Sequence, residues 1–150
     1  MRALLPILLL LAGCRAEAPR PASIEPGEIC AFCKMAISQS AYAAQLVDQE
    51  GNSFKFDDIG CMIRFVRADG RQARVAAYFV MDSVDRHWLE AAKATYVKSK
   101  RTASPMSSGL VAFADPVRAR QFAAKSGGQV LRFDELWEGK NAEPAPPAAT

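Results

Sequence analysis

The sequence predicts an α+β protein made of two small β-β-α-like units packed together. Short apolar runs bounded by turn residues each precede a stretch with helical spacing. One spacing also occurs twice: phenylalanine, aspartate two residues later, phenylalanine seven residues after that, and glycine five residues further on. The two copies are Phe56, Asp58, Phe65 and Gly70, and Phe113, Asp115, Phe122 and Gly127. Neither unit is large enough to be stable alone, so we expect them to share a core.

The first unit is expected to begin with a β-hairpin. Residues 42–47 and 53–56 have strand composition, and residues 48–52, between them, have turn composition. Asp57 is the expected N-cap of a helix with apolar residues at helical spacing, which should stop near Gly70. This hairpin and helix form the N-terminal part of the first unit.

The middle of the chain completes the first unit. The apolar run 73–81 predicts a buried strand, and residues 85–94 predict a short helix. The basic segment 93–101 (KATYVKSKR) is interpreted as a solvated loop.

The second unit repeats part of this plan. Residues 110–113 predict a strand, Asp115 an N-cap, and Pro116 the first helical position. The helix should end at Ser126, just before Gly127-Gly128. Two short elements are predicted after it, a strand at 129–131 and a helical turn at 134–137.

The beginning of the chain has the pattern of a bacterial lipoprotein. A basic residue and a short apolar run precede Leu11-Ala12-Gly13-Cys14, which matches a lipobox in which Cys14 is lipidated and becomes the mature N-terminus. No aspartate follows Cys14, which favours the outer over the inner membrane. The predicted segments are a signal peptide at 1–13, a flexible tether at 14–28, units at 29–95 and 96–138, and a disordered tail at 139–150.

The net charge and the number of cysteines limit the classes of function that are possible. The formal net charge of +3 is too small to indicate nucleic-acid binding. Of the four cysteines, lipidation of Cys14 leaves Cys30, Cys33 and Cys61. An odd number of thiols in an oxidising compartment indicates pairing between molecules, or a thiol kept for chemistry or occupied by a metal.

The segment Cys30-x-x-Cys33-x-Met35 concentrates the sulfur donors. In an extended chain alternate side chains face the same side, so Cys33 and Met35 are expected to converge on one ion. Cys30 can join them only if Ala31-Phe32 turns. Thiolate and thioether are soft ligands that select Cu(I), which makes this segment a candidate copper site.

Two residues elsewhere are further candidates. Met106 stands at the centre of the polar turn segment 104–109, where a thioether would be available as another ligand. His87 is the only histidine, and either binds metal or is structural.

Three rival interpretations stay open on the residues alone. Cys30, Cys33, Cys61 and His87 could form a closed structural Cys₃His zinc site, which would leave Met35 and Met106 unexplained. Cys30 and Cys33 could be the dithiol of a thiol–disulfide oxidoreductase. They could also form a structural disulfide in an assembly lipoprotein that binds no metal.

Taken together, several motifs resemble the NosL copper chaperones, lipoproteins that accompany nitrous-oxide reductase. They are the lipobox, Cys30-x-x-Cys33-x-Met35, Phe56-Asp57-Asp58 with Gly60-Cys61, and Ser104-Pro105-Met106 before Val111-Ala112-Phe113, and they occur in the same order from Cys14 to about Trp137. One departure is Lys34, where the family usually has glycine between the cysteine and the methionine.

The resemblance implies a monomeric, membrane-anchored Cu(I) carrier on the periplasmic side, not an enzyme. Its expected acceptor is apo nitrous-oxide reductase. The ligands it implies are Cys33 and Met35, with Met106 as a third and Cys30 as a further candidate.

Overall fold

The structure, a computed structural model, describes residues 17–69 and 74–138 and confirms the α+β class. These residues form two helices and two antiparallel sheets. In chain order the elements are β1 (Ala44–Asp48), β2 (Ser53–Phe56), α1 (Ile59–Asp69), β3 (Val75–Met81), β4 (Trp88–Glu90), β5 (Thr95–Lys98), β6 (Leu110–Phe113), α2 (Pro116–Ser126) and β7 (Gln129–Leu131). Short 3₁₀ turns occupy Ser40–Tyr42, Ala91–Lys93 and Asp134–Leu136.

The first sheet has the strand order β2-β1-β3-β4. β1 and β2 form the predicted hairpin, with Ala44 opposite Phe56, and the Asp48 carboxylate closes the turn by accepting from the Asn52 amide at 2.8 Å. β3 pairs with the other edge of β1 and confirms the buried strand predicted there. The sheet therefore brings the end of β2, where the helix begins, next to the interior of the protein.

The second sheet, in the order β6-β5-β7, corrects the interpretation of residues 93–101 as a solvated loop. β5 is its central strand. Tyr96 packs into the larger hydrophobic core on one face, whereas Val97 packs under α2 on the other. Because both faces are buried, the strand lacks the alternation of polar and apolar residues that marks a half-exposed strand. The lysines that flank it give the segment the composition of a solvated loop.

The short helix predicted at 85–94 is wrong. Arg86 has a left-handed backbone with φ 55°, after which β4 pairs with β3 so that Trp88 lies opposite Met81. The Tyr96 hydroxyl donates to the Ala91 carbonyl at 2.7 Å inside the core. Pairing with β3 satisfies backbone groups that a helix would have satisfied internally.

The duplicated spacing corresponds to a duplicated contact. Phe65 of α1 packs on Phe56 with ring centroids 5.2 Å apart, and Phe122 of α2 packs on Phe113 at 5.3 Å. In each unit, a ring at the end of a strand thus packs against a ring of the following helix. Gly127 ends α2 with φ 63°, as predicted.

Aspartate residues begin both helices, but the first one is not the residue predicted. Asp115 caps α2 by accepting from the Val117 amide at 2.7 Å, with Pro116 at the first helical position. For α1 the corresponding residue is Asp58 and not Asp57, because the Asp58 side chain accepts from the Gly60 amide at 2.6 Å. The Asp57 side chain therefore does not serve as the helix cap.

The two units share one core. Buried residues of α1 and the first sheet pack with buried residues of β5, β6, β7 and the turn at Asp134–Leu136. A parallel bridge between Asp82 and Ala112 joins the two sheets directly.

The second half of the predicted tether is not free in solution. The Ala22 amide donates to the Gln45 side chain at 2.9 Å, and Lys55 forms an ion pair with Glu28 at 2.6 Å. The signal peptide, Cys14, the helix stop at Gly70 and the tail at 139–150 lie outside the described residues. In the part of the chain that the structure describes, neither helix has the length and apolar character needed to cross a bilayer.

Replacing each helix-start aspartate tests this arrangement. Asp115→Ala should lower the free energy of unfolding by about 1 kcal/mol, the usual cost of losing an N-cap. Asp58→Ala should cost more, about 2 kcal/mol or above, because Asp58 is buried and also accepts from the Met106 amide at 3.1 Å. Urea denaturation measures both, and equal losses would contradict the structural role given to Asp58.

Candidate metal centre

Four side chains from separate segments converge inside the first unit. Cys30, Cys33, Asp57 and Cys61 each offer a ligand atom, and these atoms all lie within 4.8 Å of one another. Cys30, Asp57 and Cys61 are buried, whereas Cys33 is half-buried. Three thiols and a carboxylate at this separation can surround a single metal ion, with Cys33 on the solvent side.

The Cys30–Met35 segment is a tight loop. The Cys30 amide donates to the Met35 carbonyl at 2.8 Å, and the Lys34 amide donates to the Cys30 carbonyl at 3.1 Å. Residues 31–33 form the turn that Cys30 needed in order to join Cys33. The turn required for Cys30 to approach Cys33 is therefore present. The segment from Cys33 to Met35 is part of the same loop and is not extended as predicted.

The backbone conformation of Lys34 rules out the extended arrangement predicted for Cys33 and Met35. Its φ of 64° lies in the left-handed region, which glycine adopts without strain and a side chain disfavours. The Lys34 ammonium donates to the Ala31 carbonyl at 2.8 Å across the loop. This is the position at which the NosL resemblance led us to expect glycine, and the backbone conformation gives the physical reason for that preference.

The other two ligands are placed by the junction of β2 and α1. Asp57 follows the last residue of β2, and Cys61 lies in the first turn of α1. Asp58 fixes the helix start between them, since its carbonyl accepts from the Cys61 amide at 2.9 Å. The Ala31 amide donates to the Lys55 carbonyl at 2.8 Å and holds the cysteine loop against β2.

Cys30 and Cys61 share one proton. A hydrogen bond from the Cys61 thiol lowers the pKa of Cys30 to about 5, against the opposing effect of burial. The backbone amides of Asp57, Cys33 and Phe32 also donate to the Cys30 sulfur. The same hydrogen bond, together with burial, raises the pKa of Cys61. At neutral pH the cluster therefore holds a thiolate at Cys30 before any metal arrives, and thiolate is the form that binds metal.

Two further groups respond to that thiolate. Burial, with the added effect of the charges of Cys30 and Asp58, raises the pKa of Asp57 to about 6. Burial also raises the pKa of Cys33, although the Met35 amide donates to its sulfur. Among the described residues, Asp57 Oδ1 has no hydrogen-bond partner although it is buried. A buried acceptor beside a thiolate is the environment that a cation would stabilise.

The methionines border this cluster differently. The Met35 backbone forms hydrogen bonds with both cysteines of the loop, while the residue as a whole is 48% exposed. Met106 is partly buried and packs against the same core as Cys33 and Phe32. Arg64 links the two segments, since its guanidinium lies 5.8 Å from the centre of the Phe32 ring and donates to the Met106 carbonyl at 3.3 Å.

His87 does not belong to the cysteine cluster. It groups instead with Asp82 and Asp85, just after the end of β3, so the Cys₃His arrangement is not formed. There the Asp82 carboxylate already accepts from the amides of Val84 and Ala114, and Asp85 pairs with Arg118 at 3.2 Å. These partners account for both carboxylates without a metal ion.

The state of the thiols bears on the oxidoreductase and disulfide interpretations. Cys30, Cys33 and Cys61 are free thiols in the structure. A dithiol enzyme needs its low-pKa thiolate exposed to attack a substrate disulfide. Here the low pKa belongs to Cys30, which is fully buried, whereas burial raises the pKa of the more accessible Cys33. This distribution suits the holding of a metal better than thiol exchange.

Comparison with known proteins identifies the family. The model of the NosL family matches residues 21–139. The chain belongs to the NosL family. This match confirms the resemblance inferred from the motifs.

One solved structure supports the same fold. The crystal structure of the copper chaperone NosL from Shewanella denitrificans matches with a TM-score of 0.72 and 20% identity, covering 78% of this chain and 95% of that one. No curated protein matches the chain.

Two members of the cluster are not predicted as copper ligands by the sequence. The sequence pattern makes Asp57 the helix cap, and it places Cys61 only in the Cys₃His zinc site. The signal that could have found them is the second aspartate: with Asp58 available as the cap, Asp57 is free to face inward. Cys61, three residues after Asp58, then lies in the first helical turn next to the end of β2.

The shared proton gives a measurable prediction. In metal-free protein, the ultraviolet absorbance of thiolate should rise with a midpoint near the Cys30 pKa of about 5. Cys61→Ala removes the donor, so the midpoint should move up towards the ordinary value of about 8.5. Cys33→Ala also removes a side-chain hydrogen bond to Cys30 but keeps the backbone amide and the larger effect of Cys61, so it should move the midpoint less. A midpoint that stays low in Cys61→Ala would refute the shared proton.

Proposed function

We propose that this NosL-family protein is a periplasm-facing lipoprotein copper chaperone. It binds Cu(I) through cysteine and methionine sulfur and delivers it to apo nitrous-oxide reductase, whose copper centre it helps to mature. Family membership and the likeness to a structure described as a copper chaperone support the copper assignment. The protein acts by binding and transfer, as a monomer held to the membrane through Cys14.

The observation that carries this proposal is the convergence of Cys30, Cys33 and Cys61 within 4.8 Å. Cu(I) is a soft ion that prefers thiolate and thioether ligands. The Cys30 thiolate is already formed, so the first copper–sulfur bond does not require a proton to be removed at neutral pH. The remaining two thiols lose their protons as the metal binds.

The proposed sulfur ligands differ in their exposure to solvent, and this difference suggests a role for each. Cys30 and Cys61 are fully buried and are proposed to hold the ion from inside, with Cys33 completing the set at the surface. Met35 is half-exposed, and Met106 borders the same side of the core. These two thioethers are proposed as the donors that face the acceptor.

Transfer can then proceed by ligand exchange. A thioether carries no charge and releases Cu(I) more readily than a thiolate does, so an acceptor sulfur can enter at the Met35 side. Each acceptor bond forms as one bond to this chain breaks, and the ion never enters water as a free species. Half-burial of Cys33 leaves the approach open, whereas a closed structural site would block it.

A zinc site is the second candidate, favoured by one observation. Asp57 adds a carboxylate to the three thiols, and zinc accepts that combination in a tetrahedral site. Cu(I) does not need the carboxylate, because three sulfur donors satisfy it. The contribution of Asp57 therefore distinguishes the two metals.

Single substitutions separate holding ligands from exit ligands. Cys30→Ala, Cys33→Ala and Cys61→Ala should each weaken Cu(I) binding more than about 100-fold, beyond the loss usual for an outer partner. Met35→Leu and Met106→Leu preserve volume and should change affinity less while slowing transfer to apo nitrous-oxide reductase. Anaerobic titration against a Cu(I)-specific chelator measures affinity. Met62→Leu, a buried core change in α1, is the control.

Asp57→Asn tests metal identity. If the protein is built for Cu(I), the substitution leaves Cu(I) affinity within about threefold, because sulfur provides the bonds. Zn(II) affinity should fall by about tenfold or more, since a carboxylate ligand is lost. Tighter binding of Zn(II) than Cu(I) under competition, with both reduced by Asp57→Asn, would establish the zinc site instead.

A further inference from the structure

A large basic cleft lies beside the Met106 segment. It has a volume of about 1060 Å³ and is bounded by α1, the end of β5 and the loop between β5 and β6. Four cations line it: Arg64, Lys98, Lys100 and Arg101. None of the lining residues is aspartate or glutamate. Apart from Met106, the proposed copper function uses none of the residues that line this cleft.

The two outermost cations are available to a ligand. Lys100 and Arg101 are exposed, and neither forms an ion pair with another described residue. Several like charges in one concave surface produce a positive potential that attracts negative groups. Since the overall charge of the chain is only +3, this concentration is a local property of the cleft.

The wall of the cleft is held in shape by close backbone contacts. The Ser99 amide donates to the Gly109 carbonyl at 3.0 Å, which closes the neck of the loop. Gly109 has φ 67°, and a Cβ there would lie 2.3 Å from the Ser99 carbonyl oxygen. At Gly60, a Cβ would lie 2.5 Å from the Ser108 Cβ, so the loop sits directly on the first turn of α1. The cleft is thus formed before a ligand binds.

The cleft is connected to the metal centre through two residues. Arg64 lines the cleft, stacks over Phe32 of the cysteine loop and donates to the Met106 carbonyl. Met106 lines the cleft as well. A molecule seated in it therefore lies next to the methionine proposed as an exit donor.

We propose that this cleft docks an acidic segment of the protein that exchanges copper with this chain, an inference that rests on the proposed function. Carboxylates of that segment pair with Lys100 and Arg101 at the rim and approach Arg64 inside. Docking there holds the partner beside Met106 while the ion changes ligands. Electrostatic attraction of this kind mainly accelerates encounter and fixes orientation.

The shape favours a protein segment over a lipid surface. The cations lie around a concave cavity, and a flat membrane would reach only Lys100 and Arg101 at its rim. A protruding chain with several carboxylates can enter and reach Arg64 and Lys98 too. The volume of the cleft is sufficient for several side chains.

The first arm of the test uses the metal-free full chain and a synthetic octapeptide of alternating aspartate and glutamate. Calorimetric titration at low salt should show binding that weakens by about tenfold or more in Lys100→Glu/Arg101→Glu. The matched control, Arg86→Glu/Arg120→Glu, makes the same charge change at exposed positions outside the cleft and should bind like the unaltered chain. Equal weakening in both variants, or no binding by the unaltered chain, would overturn the proposal.

The second arm loads the same proteins with Cu(I) and measures transfer to apo nitrous-oxide reductase. The cleft variant should keep its Cu(I) affinity, transfer copper about tenfold more slowly at low salt, and lose most of its salt dependence. Equal transfer rates in the two variants would overturn the assignment to the copper partner.

Two further outcomes distinguish this proposal from the proposed copper function and from binding to a lipid surface. If the unaltered chain fails to bind Cu(I), the copper function is wrong, and the peptide arm alone still decides whether the cleft takes an acidic segment. If the cleft variant loses binding to phosphatidylglycerol vesicles while its peptide binding is unchanged, a lipid surface replaces the protein partner and the proposal is overturned.

Discussion

The buried carboxylate of Asp58 supports both the metal centre and the loop beside it. One oxygen accepts from the Gly60 amide and fixes the start of α1, and the other accepts from the Met106 amide 48 residues further along the chain. A fully buried carboxylate is costly unless such donors surround it. Because the helix begins at this point, Asp57 on one side and Cys61 on the other both face the cysteine loop.

This constraint also explains how two small units support one site. The cysteine loop is held to β2 through the Lys55 carbonyl, and α1 packs on β2 through the contact between Phe56 and Phe65. The Met106 segment comes from the second unit and rests on the first turn of α1. A change in how the units pack would therefore separate Met106 from the cysteines, even with every ligand still present.

The limits of sequence interpretation follow from the same physics. The hairpin, β3, β6, α2 and β7 were predictable because local turn, cap and apolar patterns specify them. β5 was not predictable because its burial on both faces comes from α2 and the larger core, which are distant in sequence. β4 replaces a predicted helix because pairing with β3, another tertiary interaction, determines its conformation.

The site shows the same division. Cys30 and Cys33 were predictable from their spacing, since the turn that joins them is local. Asp57 and Cys61 depend on which of two adjacent aspartates caps α1. Asp58 caps the helix and also accepts from the Met106 amide, a contact that the sequence gives no reason to expect. The expected ligands Met35 and Met106 remain predictions, because the structure establishes where they lie and not that they bind copper.

The distribution of charge within the cluster suits a carrier better than a permanent metal site. Cys30 is ionised and buried, so it provides an immediate attraction for a soft cation. The hydrogen bond to Cys30 and burial raise the pKa of Cys61, and burial raises the pKa of Cys33; the negative charge of Cys30 adds to both shifts. Under the proposed function, these thiols recover their protons when an acceptor takes the ion, and the repulsion among three thiolates is relieved. The return of protons to Cys33 and Cys61 would then favour release, while the Cys30 thiolate would remain available for the next ion.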